Sequence, residues 1–302
     1  MQSSLVSLSD ELARLVQEYE PRVVAVHARA HYPSSGVQWR PGVVVTANHT
    51  VGQDEDIQVT LPGGQRVDAT LTGRDSGTDI AVLRVEDLAS PAAQTGPTGA
   101  AKVGELALVL GRSPDSGPNA SLGVISAVSG PWRTWRGGRL DQYIRLDATL
   151  FPNSSGGAVV DCRGQLLGIA TSGLSRIAGL AIPASSIDRV VEALVSKGYV
   201  PRGYLGIGVQ PVAIPEALRA SLSVAAKTAV MVVKVEPGGP ADQAGLLLGD
   251  ILLSLGDFSL EHVEELQSFS DSGVIGKAVK AQIIRAGARH ELTINVGERP
   301  GK

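Results

Sequence analysis

The sequence predicts a mostly β chain in two modules, an antiparallel barrel or sandwich over residues 1–200 and a small α+β module over 204–302. Three observations predict it. Short apolar segments recur at even spacing between Gly, Pro, Asn and Asp, as in antiparallel β domains and unlike a βαβ sheet. The composition favours turns over long helices, with 36 Gly, 17 Pro and 4% aromatic residues. The pattern also changes character at Pro201-Arg202-Gly203, read as a linker over 201–203, and a length of 302 residues suits more than one domain.

The elements follow in order. Ser7 or Ser9 is placed to cap a helix over about 9–19, with Leu12, Leu15 and Val16 on one face and Pro21 stopping it. Val23–Val26 reads as a first buried strand. Further strands are predicted at Gly42–Thr46, Ile57–Leu61, Arg66–Thr72, Ile80–Val85, Leu106–Leu110, Gly123–Val128, Tyr143–Leu146, Ala158–Val160 and Leu166–Ala170. Ser185–Lys197 reads as a helix with Ile187, Val190, Val191 and Leu194 on one face and Gly198 as its stop. After the linker, strands are predicted at 204–209, 231–235, 251–255, 279–285 and 291–296, with a helix near 260–270.

Composition also excludes several functions. Hydrophobic residues at 43% supply material for packed cores, and a net charge of -3 without a long basic or acidic block argues against nucleic acid or an anionic membrane as partner. No run approaches the roughly 18 apolar residues that span a bilayer. The N-terminal residues lack the charged and apolar regions of a leader, so the chain as written reads as cytoplasmic, or as periplasmic if a leader has been removed. The single Cys162 excludes an intrachain disulfide framework and a thiolate zinc site, and is expected to be a partly buried small residue. No metal or cofactor is expected.

The chemistry-bearing residues sit at strand ends. Ser155 is followed by Gly156 and Gly157 and then by an apolar strand, the layout of a nucleophile on a tight turn, where the two Gly let the backbone bend and a substrate chain approach. His49 ends the run Val43–Ala47, and Asp79 begins the run Ile80–Leu83. A hydroxyl nucleophile needs a neutral imidazole to take its proton, and a carboxylate to fix the tautomer and balance the resulting cation. The order His49, Asp79, Ser155 is that of the chymotrypsin-type β-barrel enzymes, and differs from the subtilisin-like and α/β-hydrolase orders.

At this point the chain resembles the HtrA/Deg family. Residues 1–200 are similar to its trypsin-like serine protease domain, on Thr46-Ala-Asn-His49-Thr-Val, Thr78-Asp79-Ile-Ala-Val-Leu, Gly123-Val-Ile-Ser-Ala, Leu146-Asp147-Ala, Ser155-Gly-Gly-Ala-Val-Val and Leu180-Ala-Ile-Pro183. Residues 204–297 are similar to its C-terminal PDZ domain, on Tyr204-Leu-Gly-Ile207, Pro240-Ala-Asp-Gln-Ala-Gly245-Leu and Gly249-Asp250-Ile-Leu. The resemblance implies a chymotrypsin-like double β-barrel with the triad between the barrels, followed by the PDZ module. It implies Ser155 as nucleophile, His49 as base and then acid, and Asp79 as the orienting carboxylate. Asp75 is left as a turn residue and Asp147 as a strand residue outside the triad.

The resemblance further implies an oxyanion hole from Asn153, Ser154 and Ser155, and a pocket lined by Thr149, Leu150, Ile169, Ala170, Thr171 and Leu180. That lining is uncharged and suits cleavage after small or medium aliphatic residues. Gly111–Asn119 and Pro131–Gly138 match the family's loops, and Trp132 and Trp135 belong to the second of these. In the PDZ half, Tyr204, Leu205, Gly206 and Ile207 are expected to receive a peptide C-terminus, with Leu266 and Phe269 lining the pocket for its last side chain. Expected partners are unfolded polypeptides or peptide C-termini and further copies of the chain. The resemblance implies a homotrimer, for which Tyr19, Tyr32 and Trp39 are the candidate interface aromatics.

The chain departs from the family in two places. Asn153-Ser154 replaces the usual Gly-Asn before the nucleophile, and Thr50 follows the His where an apolar residue is common. Asn is the non-glycine residue best suited to left-handed backbone, and losing one oxyanion donor costs on the order of 100- to 1,000-fold in turnover. The sequence therefore carries two readings: an ATP-independent serine endopeptidase acting on unfolded or misfolded proteins, or a binding and chaperone-like protein with a distorted oxyanion hole.

Overall fold

Helix α1 (Ser4–Tyr19) starts ahead of either predicted cap. Leu15 and Tyr19 are buried, Leu12 and Val16 pack beside them, and Leu5, Val6 and Leu8 face solvent. Burial pushes the Tyr19 phenol up to about 12, and its hydroxyl donates to Gly164 O. A single 3-10 turn containing Pro21 ends the helix. The computed structural model describes residues 4–30, 32–86, 88, 101–271 and 273–298. The chain divides into two units, residues 1–200 and 201–302.

The first unit holds two closed six-stranded barrels. Strands β1 (Val23–His27), β2 (Ser34–Arg40), β3 (Val43–Ala47), β4 (Ile57–Thr60), β5 (Arg66–Asp75) and β6 (Ile80–Arg84) close in the order β1-β2-β3-β6-β5-β4. β1, β3 and β6 are apolar runs because both their faces are covered, whereas β5 alternates toward solvent. No predicted strand covers β2. Its Ser34, Ser35 and Gln38 are each fully buried, so the sheet hides residues whose polarity reads as loop.

The second barrel is built from β7 (Leu106–Ser113), β8 (Gly117–Ser129), β11 (Tyr143–Asp147), β12 (Ala158–Asp161), β13 (Leu166–Thr171) and β14 (Gly179–Pro183), in the order β11-β14-β13-β12-β7-β8. A short hairpin, β9 (Trp132–Arg133) with β10 (Arg139–Leu140), stands outside it. Gly111–Asn119, expected as a loop, is mostly paired strand, since β7 and β8 run together to Ser113 and Gly117. Trp132 packs edge-on against Tyr143 at 5.1 Å, while Trp135 is exposed. Helix α2 (Ala184–Lys197) buries the predicted face, and Gly198 at φ 80 ends it. Cys162 is exposed rather than partly buried, because it sits in the turn that Gly164 N closes on Asp161 O. Tyr19 and Trp39 are core residues and not interface surface, the Trp39 indole donating to Asp188 at 2.7 Å; Tyr32 is exposed.

The second unit contains β15 (Gly203–Tyr204), β16 (Ile207–Ala213), α3 (Glu216–Leu222), β17 (Thr228–Val235), α4 (Pro240–Gln243), β18 (Ile251–Leu255), β19 (Phe258–Ser259), α5 (Val263–Ser270), β20 (Ala278–Arg285), β21 (Ala288–Asn295) and β22 (Gly297–Glu298). The main sheet runs β16-β17-β18-β20-β21, and β15 pairs with β22. Its core gathers Leu205, Val230, Leu252, Leu260, Phe269, Ile283 and Ile294. Buried Asp250 is held by Arg285 through contacts of 2.8 and 2.6 Å. Among the described residues no helix is long and apolar enough to cross a membrane.

Candidate active site

The first barrel supplies His49 and Asp79. His49 lies in a 3-10 turn leaving β3, and Asp79 sits just before β6 at φ 61, a left-handed conformation that Asp tolerates better than most residues. The neighbouring strands fix the pair, with Asn48 N donating to Asp79 O at 3.0 Å. The buried carboxylate of Asp79 then accepts three hydrogen bonds. His49 N reaches Oδ1 at 2.8 Å, His49 Nδ1 reaches Oδ2 at 2.8 Å, and the Thr171 hydroxyl reaches Oδ2 at 2.5 Å. An ionised carboxylate only accepts, so Nδ1 carries the proton and Nε2 of the neutral ring presents its lone pair. Asp75 instead holds the preceding turn, accepting from Gly77 N, Thr78 N and the Thr78 hydroxyl.

The second barrel supplies Ser155, on the turn between β11 and β12. The turn is clamped from both barrels, which explains its glycines better than substrate access does. A Cβ on Gly156, at φ 85, would lie 2.1 Å from Ser35 O, and one on Gly157 would lie 2.2 Å from Leu110 O. Ser35, overlooked in the sequence, is the pin. Its N–H donates to Ser155 O at 3.1 Å, its hydroxyl to Asn153 O at 2.6 Å, and it accepts from Arg112 N at 2.9 Å.

Accounting for the turn's donors separates its residues. Ser154 N donates to Phe151 O at 2.8 Å, Gly156 N to Ala170 O at 2.8 Å and Gly157 N to Ser154 O at 2.9 Å. Among the described residues no acceptor faces the N–H groups of Asn153 and Ser155. Ser154 is therefore withdrawn from the expected oxyanion set, its N–H being committed to the turn. Asn153 is not among the left-handed non-glycine residues, so it carries no strain of that kind. Thr50, the other departure, donates its hydroxyl to Ala47 O at 2.7 Å and lies 3.0 Å from Ser34 Oγ.

The expected pocket lining divides as well. Ile169, Ala170 and Leu180 are packed into the cores and offer almost no surface. Thr171 is fully buried with its hydroxyl on Asp79, so it orients the carboxylate and does not line a pocket. Thr149 is exposed, and Leu150 lies over Gly179, where a Cβ would come 2.7 Å from its Cδ1. Ser172 and Gly173, which sequence reading passed over, lie directly against His49.

In the second unit a groove of about 320 Å³ runs between β16 and α5, lined by Tyr204, Leu205, Gly206, Ile207 and Leu266 together with Val209, Val263, Gln267 and Ser270. Phe269 does not line it. Val263, Leu266, Gln267 and Ser270 form one helical stripe, and Phe269 is turned off that stripe into the core, edge-on to Phe258 at 5.7 Å. At the groove's end, among the described residues, the N–H groups of Leu205 and Gly206 have no acceptor, while their carbonyls accept from Ala241 and Glu236.

A double six-stranded barrel with Ser, His and Asp gathered where the barrels meet defines a chymotrypsin-like serine protease fold. Sequence comparison agrees: the trypsin-like peptidase domain family matches residues 34–169 and the PDZ domain family residues 203–296. A probable periplasmic serine endoprotease, DegP-like, from Chlamydia pneumoniae is 30% identical over 267 residues, covering 86% of this chain and 53% of that protein. The serine protease Do-like HtrA of Lactobacillus helveticus is 30% identical over 269 residues, covering 84% of this chain and 65% of that protein. A solved structure of the HtrA-type protease AlgW with a tripeptide superposes with a TM-score of 0.76 at 30% identity, covering 96% of this chain and 98% of that one. The chain belongs to the HtrA family of serine proteases with a PDZ domain. It spans about half the length of the Chlamydia relative.

Proposed function

We propose that this chain is an ATP-independent serine endopeptidase that cleaves unfolded or misfolded polypeptides, with Ser155 as nucleophile, His49 as general base and Asp79 as its orienting group. The observation that carries the reading is the buried Asp79 carboxylate on His49 Nδ1, which leaves Nε2 as the acceptor on the side of Ser155. In the reaction Ser155 Oγ attacks the scissile carbonyl carbon as its proton passes to Nε2. The N–H groups of Asn153 and Ser155 then receive the oxyanion. Collapse of the tetrahedral intermediate returns the proton to the leaving amine, and water hydrolyses the acyl-enzyme by the same sequence. Of the expected lining only Thr149, exposed, and Leu150, over Gly179, keep accessible surface, and their uncharged side chains support cleavage after small or medium aliphatic residues.

The PDZ groove takes a peptide C-terminus as an added strand on β16. The free N–H groups of Leu205 and Gly206 receive its carboxylate, and Val263 and Leu266 contact its last side chain. AlgW, solved with a tripeptide, is the relative that supports peptide capture. The family resemblance supports a homotrimer, read by light scattering, and the periplasmic description of the DegP-like relatives supports a periplasmic location over a cytoplasmic one. The inactive-binder alternative rests on Asn153, whose backbone is unstrained, and is not favoured. Degradation of casein by the wild type and none by Ser155→Ala is the expected result. Equal inertness of both, under conditions that favour oligomers, overturns the proposal.

A further inference from the structure

His49 Nε2 and Ser155 Oγ are not hydrogen-bonded to each other. Between them stands a third hydroxyl: Ser172 Oγ lies 3.4 Å from Nε2 and 3.2 Å from Ser155 Oγ. With Nδ1 donating to Asp79, Nε2 has a single lone pair to offer. Ser172 has one proton, so the consistent arrangement runs from the Ser155 hydroxyl to Ser172 Oγ, and from the Ser172 hydroxyl to Nε2. We infer that Ser172 is a positioning residue that occupies the one acceptor site of His49 in the substrate-free enzyme and holds Ser155 off its base. The inference rests on the protease reading above.

The geometry favours competition over a proton relay through Ser172. Both contacts are longer than the 2.7–2.8 Å usual for hydroxyl donors, whereas passing two protons in concert needs short ones. The backbone on either side is anchored, with Thr171 on Asp79 and Gly173 N donating to Thr171 Oγ1 at 2.9 Å, but the Ser172 side chain is exposed. One rotation about its χ1, between staggered positions, frees Nε2 for Ser155. Turning away is then a step that substrate binding must drive, and the hydroxyl slows the resting nucleophile without blocking it.

The test is the rate at which a fluorophosphonate labels Ser155, which reads nucleophile reactivity without peptide recognition. Ser172→Ala is expected to label about twofold to tenfold faster than wild type, the factor that one neutral hydrogen bond is worth. Ser172→Thr, which keeps a hydroxyl, is expected to stay at the wild-type rate. On a peptide substrate, KM is expected to fall in Ser172→Ala with kcat nearly unchanged, because binding no longer has to turn the hydroxyl away. Labelling of Ser172→Ala at or below the wild-type rate overturns the inference while leaving the protease reading standing. Absence of labelling in every variant, with folding intact, overturns both.

Discussion

Gly173 lies flat against the His49 ring. A Cβ built on it would come 2.5 Å from His49 Nδ1, 2.7 Å from its Cγ and 2.9 Å from Asp79 Oδ2. These are contacts that no rotamer of a neighbour relieves, because the ring is itself held by Asp79. Gly173→Ala is therefore expected to push the imidazole off its carboxylate, and a displacement of that size costs on the order of 100-fold in turnover. The position is only half-buried at the end of β13, so the melting temperature is expected to move little. Wild-type kcat in a folded Gly173→Ala variant contradicts the pairing described for His49. The same neighbourhood shows what a sequence can disclose at this scale. His49, Asp79 and Ser155 are legible because each is a chemistry-bearing residue at a strand end, in an order few architectures use. Ser35 and Thr171 are not: their hydroxyls act on Asn153 and Asp79 across separations of 118 and 92 residues, which no local pattern encodes.

At the scale of elements, the junction of β1, β4 and β5 holds a titrating group. His27 is part-buried, its Nε2 lies 2.8 Å from the Thr60 hydroxyl, and Arg66 approaches its ring at 3.3 Å. Burial, and after it the Arg66 charge, hold its pKa below the ordinary 6.5, with Asp115 opposing. Since the folded value lies below the unfolded one, the unfolded chain binds more protons in the window beneath 6.5, and stability rises with pH there. His27 thus contributes stability above that window and loses it as pH falls. Melting temperatures measured between pH 5 and 7 are expected to fall less steeply in His27→Gln than in wild type; an unchanged slope contradicts this. On α5, Leu266 and Phe269 look equivalent by spacing but have different fates. Phe269→Ala is expected to destabilise the PDZ unit by about 3–5 kcal/mol. Leu266→Ala is expected to weaken peptide binding about tenfold, the effect of one well-placed side chain, with stability nearly kept. Denaturant melts and peptide titration of both variants separate them. Helix phase could have found this difference, because Val263, Gln267 and Ser270 mark the groove stripe and Phe269 falls outside it. β2 offered no such route, since burial of its polar face erases the alternation by which a strand is recognised.

At the scale of the molecule, each unit carries its own core. Among the described residues the barrels close their cores on residues of 12–200, and the PDZ core draws on residues of 205–296. About a hundred residues with a continuous core suffice for independent folding. Residues 201–302 expressed alone are therefore expected to melt cooperatively and to bind a C-terminal peptide through the β16–α5 groove. Residues 1–200 expressed alone are expected to fold and to label with a fluorophosphonate, because every group found on His49, Asp79 and Ser155 lies within them. Loss of labelling in a folded 1–200 fragment shows that the PDZ unit conditions the nucleophile, and a non-cooperative melt of 201–302 shows that its core is incomplete by itself. The two fragments thus divide the proposed activity into chemistry and capture, and measuring both on each assigns every loss to one unit.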